Sequence, residues 1–313
     1  MLTTTSVTPS SLLKFVNSMA KMHFDRWTIA RSPSLAYRLF KEHHTQLNDL
    51  YFSHIAAFRG AFASTKTQSK ADSVHTVFPD DKNERHREIT LETWAKHYNE
   101  FDNWIRLSAV VAITGFLEVF IQSAVEAACQ SCPGILIGGN KEIDGVTLLK
   151  KRPKYAFLPQ SMSCVKGTWD QRMDSYEQLF GECPKYVKDN LAALDEMRRL
   201  RNAVGHTFGR SNDPPRIGRD VKIEPFRSVK GDKLKSYLDL AMKSAKAIDA
   251  HLTGGFIGCY ETIAMYHFWA DRGKYKGKAS KESLPFIKYL DSTEHPHLSY
   301  EYCVKLINHY ILQ

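Results

Sequence analysis

The feature that most constrains this chain is an apolar run that opens at Leu107–Leu117 and continues to Cys129, crossed by a single polar line. Thr114, Glu118, Gln122 and Glu126 fall at steps of four, so on a helix they form one stripe on an otherwise apolar surface. A bilayer span would carry central carboxylates at high cost, whereas a helix inside a bundle can turn such a stripe toward a partner. The expectation is a core helix of an all-α protein, with no membrane association. A carboxylate on so apolar a helix needs a partner, because an unpaired charge there is costly. Two roles stay open for Glu118: an ion pair with an arginine of the segment 191–206, or a catalytic duty.

Helical spacing recurs along most of the chain. It predicts helices over 10–22, 34–59, 88–99, 104–128, 170–179, 184–206, 233–251, 257–272 and 300–312. The segment from Gly134 to Leu149 is expected to form two short strands around a Gly-rich turn, a small β-hairpin insertion. Residues 63–87 are small and polar and end in Pro79-Asp80-Asp81, which reads as an exposed linker. The expected organisation is an N-terminal helical extension over 1–62, a linker over 63–87 and a helical bundle over 88–313. With 43% hydrophobic and 25% charged residues in 313, the composition excludes a disordered or collagen-like chain.

Residues 1–24 lack a long apolar core, since Lys14 interrupts the first run, so no secretory signal is read there. Of six cysteines only Cys129 and Cys132 have metal-type spacing, and no second Cys or His pair answers them. Reduced cysteines in a cytoplasmic protein are expected. The chain has no GxGxxG, no GxxxxGK[ST], no GxSxG and no HExxH, so dinucleotide, P-loop, hydrolase-elbow and zincin chemistries are not signalled. Neither His43-His44 nor His295-Pro296-His297 makes a metal set, and no cofactor is expected.

Charge points elsewhere. Lys plus Arg number 43 against 34 Asp plus Glu, a net +9, and such an excess favours a polyanionic partner. Basic runs lie at Lys150-Lys151-Arg152-Pro153-Lys154, at 227–235 and at Arg272-Gly273-Lys274-Tyr275-Lys276-Gly277-Lys278. The last interleaves Tyr with cations as single-strand binding grooves do, so Lys151, Arg152, Lys274 and Lys276 are candidate RNA contacts.

The segment 191–210 concentrates the chemistry. At about 100° per residue, Asp195, Arg199, Asn202 and His206 fall within roughly 60° of one another, with Arg198 beside them. Ala193, Met197, Leu200 and Val204 take the opposite, buried face. Arginine offers forked donors to phosphate oxygens, an amide can orient a phosphate, and an imidazole can take a proton from a ribose 2′-OH. Arg201-Asn202-Ala203-Val204-Gly205-His206 resembles the R-x(4–6)-H signature of the HEPN superfamily in the form with Asn after Arg, over roughly residues 88–270. A decoy, Arg38 with His43 or His44, lacks that Asn and the glycine turn that follows the His. The resemblance implies a small helical bundle and a metal-independent endoribonuclease that works as a homodimer with a composite site. In defence or toxin systems such a domain has an inhibitory partner; other members are non-catalytic RNA-binding or interaction modules. It assigns catalysis to Arg201, Asn202 and His206; the helix geometry and charge add Arg199, Asp195 and Glu118 as auxiliary residues and Arg198 as an RNA contact. One departure stands out: on an ideal helix Arg201 lies about 140° from His206 and Arg199 within about 20°. Either the helix loosens at Gly205, or Arg199 is the phosphate-facing arginine, or two helix ends meet in a dimer.

Overall fold

The structure, a computed structural model, describes residues 24–29, 33–79, 88–151, 157–207, 227–271, 277–293 and 297–313. Among them the fold is all-α: helices dominate, and the sole β pairing is an isolated antiparallel bridge between Ser73 and Thr90. The helix expected over 10–22 lies outside the described residues. Eleven helices are seen: α1 (Leu35–Ser64), α2 (Leu91–Ser131), α3 (Gly145–Lys151), α4 (Leu158–Ser163), α5 (Trp169–Phe180), α6 (Lys185–Lys188), α7 (Leu191–Thr207), α8 (Gly231–Leu252), α9 (Tyr260–Trp269), α10 (Ala279–Ser292) and α11 (Tyr300–Leu312). They gather into two compact units that do not follow chain order. One comprises 1–34, 125–158 and 250–313, and the other comprises 35–124 and 159–249.

The second unit holds the stripe on α2 and the whole of α7. Leu107, Val110, Ile113, Leu117, Phe120 and Ile121 recur at steps of three and four and are essentially inaccessible, which is the buried face that the apolar run requires. The helix runs unbroken through 99–104, joining two helices that the sequence reading separates. It is also the helix among the described residues long and apolar enough to cross a membrane. Core helices of water-soluble proteins meet the same two criteria, and the face buried here is a packing face. Near its start, Trp94 and Tyr98 stack at 5.0 Å and Tyr98 stacks on Phe58 of α1 at 5.0 Å. The polar stretch after α1 is tied down in part: Val74 is buried and its N–H bonds the Ile89 carbonyl at 2.9 Å. Residues 80–87 of that stretch lie outside the described residues.

α5 begins where Thr168 completes a capping box. Its hydroxyl accepts from the Gln171 N–H, and the Gln171 side chain accepts from the Thr168 N–H. Trp169, Arg172, Met173, Tyr176 and Phe180 form its buried face. α7 buries Leu194, Met197, Leu200 and Val204, one side of the amphipathic helix expected there, with Leu194 taking the place of the half-buried Ala193.

The first unit corrects the expected β-hairpin. Pro133–Ile137 forms a 3-10 turn and Gly145–Lys151 the helix α3. The cause is close packing: a Cβ at Gly145 would sit 1.8 Å from the Gln130 carbonyl oxygen, so this glycine brings α3 directly onto the end of α2. Asp144 accepts the Val146 N–H at 2.9 Å at the start of that helix. The same carboxylate meets Arg26 Nε at 2.8 Å and His309 Nε2 at 3.2 Å. Burial pushes the Asp144 carboxyl up, but the His309 hydrogen bond and the Arg26 charge outweigh it and hold it below the usual range. Arg26 is itself buried, donating to Ser131 O at 2.6 Å and lying over the Trp27 ring at 3.5 Å. A helix the periodicity does not announce, α10, carries Pro285 in its interior. Its buried Glu282 accepts the Tyr266 hydroxyl of α9, an anchor that helps offset the hydrogen bond the proline removes.

Candidate phosphate-binding site

Four cationic and two acidic side chains of the second unit are drawn together from α2, α5, α7 and the loop before α5. On α7, Asp195 is the hub: it accepts Arg198 Nε at 2.7 Å and Arg198 Nη2 at 3.3 Å, and meets Arg199 Nη1 at 3.4 Å. It also accepts the Trp169 N–H at 3.2 Å, which ties α7 to the first turn of α5. The Arg198 hydrogen bond, against a smaller upward push from burial, holds the Asp195 carboxyl below its ordinary range, and the same pairing raises the Arg198 guanidinium.

Glu118 reaches across from α2. Its Oε1 accepts Arg172 Nη2 of α5 at 2.9 Å and, on the same atom, Arg201 Nη2 of α7. Arg172 is 3% exposed, sends Nε to the Gly167 carbonyl at 3.2 Å and stands over the Trp169 ring. Burial lowers its guanidinium from the ordinary range; Glu118 works the other way, and Arg198 and Arg201 add like-charge repulsion in the same direction as burial. Arg172 Nη1 and Arg201 Nε are buried without a hydrogen-bond partner among the described residues.

Part of this cluster lines an open cleft of about 500 Å³, with Asp195 outside the lining. Glu118 and Gln122 of the α2 stripe form one wall, Arg198, Arg201 and Asn202 of α7 another, and Lys166, Gly167 and Arg172 the third. The stripe on α2 thus faces arginines, as an ion-paired Glu118 requires. Thr114, further back on the stripe, is fully buried and bonds the Val110 carbonyl at 2.7 Å within its own helix.

His206 and Arg199 sit elsewhere on α7. His206 is exposed in the last turn and does not line the cleft, and the Arg199 side chain is 65% exposed. The helix stays α-helical through Gly205 to Thr207. Arg201 is therefore held at Glu118, while His206 projects about 140° around the axis. The residues the sequence joins in one motif are split between the cleft (Arg201, Asn202) and the exposed helix end (His206), with Asn202 one turn from His206 and between the two faces.

Of the other candidate RNA contacts, Lys151 is exposed at the end of α3 in the first unit. Arg152, Lys274 and Lys276 lie outside the described residues. None of the six cysteines is in a disulfide, and all six are buried. No group of three or more His, Cys, Asp or Glu side chains gathers in a metal-binding arrangement among the described residues. Sequence reasoning missed Arg172 and Lys166. Arg172 did leave a signal: an arginine at the apolar spacing of Trp169, Met173 and Tyr176 must be buried, and so must meet an acid or a ligand. Compared with models of protein families, with curated proteins and with solved structures, the chain matches none.

Proposed function

We propose that the chain is a metal-independent endoribonuclease acting at the end of α7, in keeping with its HEPN-like motif. The observation that carries the reading is the stripe of exposed Arg199 and His206 with half-buried Asn202 between them, on a regular helix that also borders a cationic cleft. His206 takes the proton from the ribose 2′-OH, and the freed oxygen attacks the adjacent phosphorus. Arg199, on the face of His206, stabilises the charge that builds on the phosphorane, and Asn202 orients the phosphate. Arg201 enters this chemistry in trans if two copies pair through their α7 ends, as the resemblance implies. The products are a 2′,3′-cyclic phosphate and a 5′-OH end. Cytoplasmic action on RNA, under control of an inhibitory partner, belongs to the same proposal.

A second reading is favoured by one observation: Arg201 is engaged by Glu118 and His206 lies outside the cleft, which suits an RNA-binding module without catalysis. Incubation of the purified chain with RNA in EDTA separates the two. The nuclease reading expects cleavage that falls by about 10²–10⁴-fold in His206→Ala, with the circular dichroism spectrum unchanged. Full activity in that variant sinks it. Salt-sensitive binding without cleavage selects the module.

A further inference from the structure

We propose that the cleft between α2, α5 and α7, which shares Arg201 and Asn202 with the proposed cleavage chemistry, is a binding site for a dianionic phosphate group, a phosphomonoester end or free orthophosphate. Three observations carry this, and none depends on the nuclease reading.

The first is the charge count. Lys166, Arg172, Arg198 and Arg201 line the cleft, and the carboxylates bonded to them are Glu118 and Asp195. Asp195 is outside the lining and is shared with Arg199, so the cleft keeps a surplus of positive charge that a phosphate dianion neutralises more fully than a phosphodiester monoanion. The second is an unmet hydrogen-bonding demand. Arg172 is almost wholly buried, yet among the described residues its Nη1 has no partner, and Arg201 Nε is buried without one as well. A buried charged donor left unsatisfied is expensive, so these two donors favour an added acceptor such as a phosphate oxygen. The third is the way Glu118 serves the arginines: both guanidinium groups converge on the single atom Oε1, where phosphate would offer each its own oxygen. Glu118, one-fifth exposed at the wall of the cleft, is an internal stand-in anion that an incoming phosphate displaces. Lys166, exposed at the rim, supplies the long-range attraction.

Titration calorimetry of the full chain with orthophosphate, 5′-AMP and dimethyl phosphate tests the proposal. Orthophosphate and 5′-AMP are expected to bind with similar affinity, and dimethyl phosphate, a monoanionic diester, at least about tenfold more weakly. Affinity should fall as pH drops from 7.5 to 5, because the monoester's second proton returns near pH 6 and that of orthophosphate somewhat higher. Glu118→Gln removes the competing charge and should tighten binding several-fold, while Arg198→Ala and Lys166→Ala should each weaken it. Arg172→Met should abolish it; if that buried variant fails to fold, the other three carry the test. The proposal is overturned by no saturable binding at millimolar phosphate, by equal affinity for the diester, or by Arg198→Ala and Lys166→Ala variants that bind like the parent. RNA cleavage followed on the same preparations keeps the two readings apart. Cleavage by a chain that binds no phosphate overturns this site alone, and phosphate binding without cleavage supports this site while removing the nuclease.

Discussion

Glu118 is where the energetics of the second unit are most exposed to a single change. It neutralises a guanidinium that is 3% exposed and another that is 29% exposed. Truncation to Ala leaves both without their carboxylate, and the loss from breaking a buried pair comes mainly from the charge left behind, not from the attraction removed. Because Glu118 and Arg201 keep some contact with water, the expected destabilisation of Glu118→Ala is about 2–3 kcal/mol, below the range for a fully buried pair. Glu118→Gln, which still offers a carbonyl oxygen to Arg172, should lose less. Urea denaturation followed by tryptophan fluorescence measures both, and Trp169, stacked under Arg172, reports from the right place. Equal stability of Glu118→Ala and the parent would mean that water already shares the load. The sequence showed that this glutamate needed a partner and pointed to the 191–206 segment. It did not show that Arg172, from a helix 54 residues away, would join on the same oxygen.

At the scale of elements, α7 decides how the motif can work. Three ways of bringing an arginine to His206 are open in the sequence: a helix that loosens at Gly205, the use of Arg199, or a second copy. α7 remains regular through Thr207, and a Cβ added at Gly205 would meet nothing within 4 Å. Gly205→Ala therefore asks the question directly. With a helical backbone and open space, alanine should stabilise the helix end by about 0.5–1 kcal/mol and raise the melting temperature slightly. If Arg199 or a second copy serves His206, RNA cleavage should persist in this variant. Loss of cleavage with a raised melting temperature would show that unwinding at Gly205 is required. Amphipathic helices of this kind were legible because the period of 3.6 appears in the residues themselves: α7 buries Leu194, Met197, Leu200 and Val204, and α2 buries the run from Leu107. Elements fixed by long-range contacts were not. Ile135-Leu136-Ile137 followed by glycines has the composition of a hairpin, yet it forms a 3-10 turn, and the close approach of Gly145 to the Gln130 backbone is not visible in the local sequence. Pro285 argues locally against α10, which is held by long-range contacts: Phe286, Ile287 and Leu290 are buried, and Glu282 meets a tyrosine from another helix. Arg172 belonged to no motif, so the cleft it completes could be read only once α2, α5 and α7 were placed.

For the molecule as a whole, burial sorts the cysteines into reporters of its two compact units. Cys129, Cys132, Cys259 and Cys303 belong to one unit, and Cys164 and Cys183 to the other. All six are buried, and burial pushes the Cys164, Cys183 and Cys259 thiols up to about 11. The thiolate is the reactive form, so at pH 7.5 the folded chain presents almost none of it, while an unfolded cysteine titrates near 8.5 and is open to reagent. Iodoacetamide should therefore label the native protein negligibly over hours and label each unit's cysteines together as urea unfolds that unit. Mass spectrometry after short pulses across a urea series reads each site separately. One shared midpoint for Cys164 and Cys183, and one for the other four, is the expected outcome. Labelling of Cys183 in buffer, ahead of Cys164, would instead mean that the turn between α5 and α6 opens on its own. That opening would bear on function as well, because α5 carries Arg172 and its movement would take one wall of the cationic cleft away from the other two.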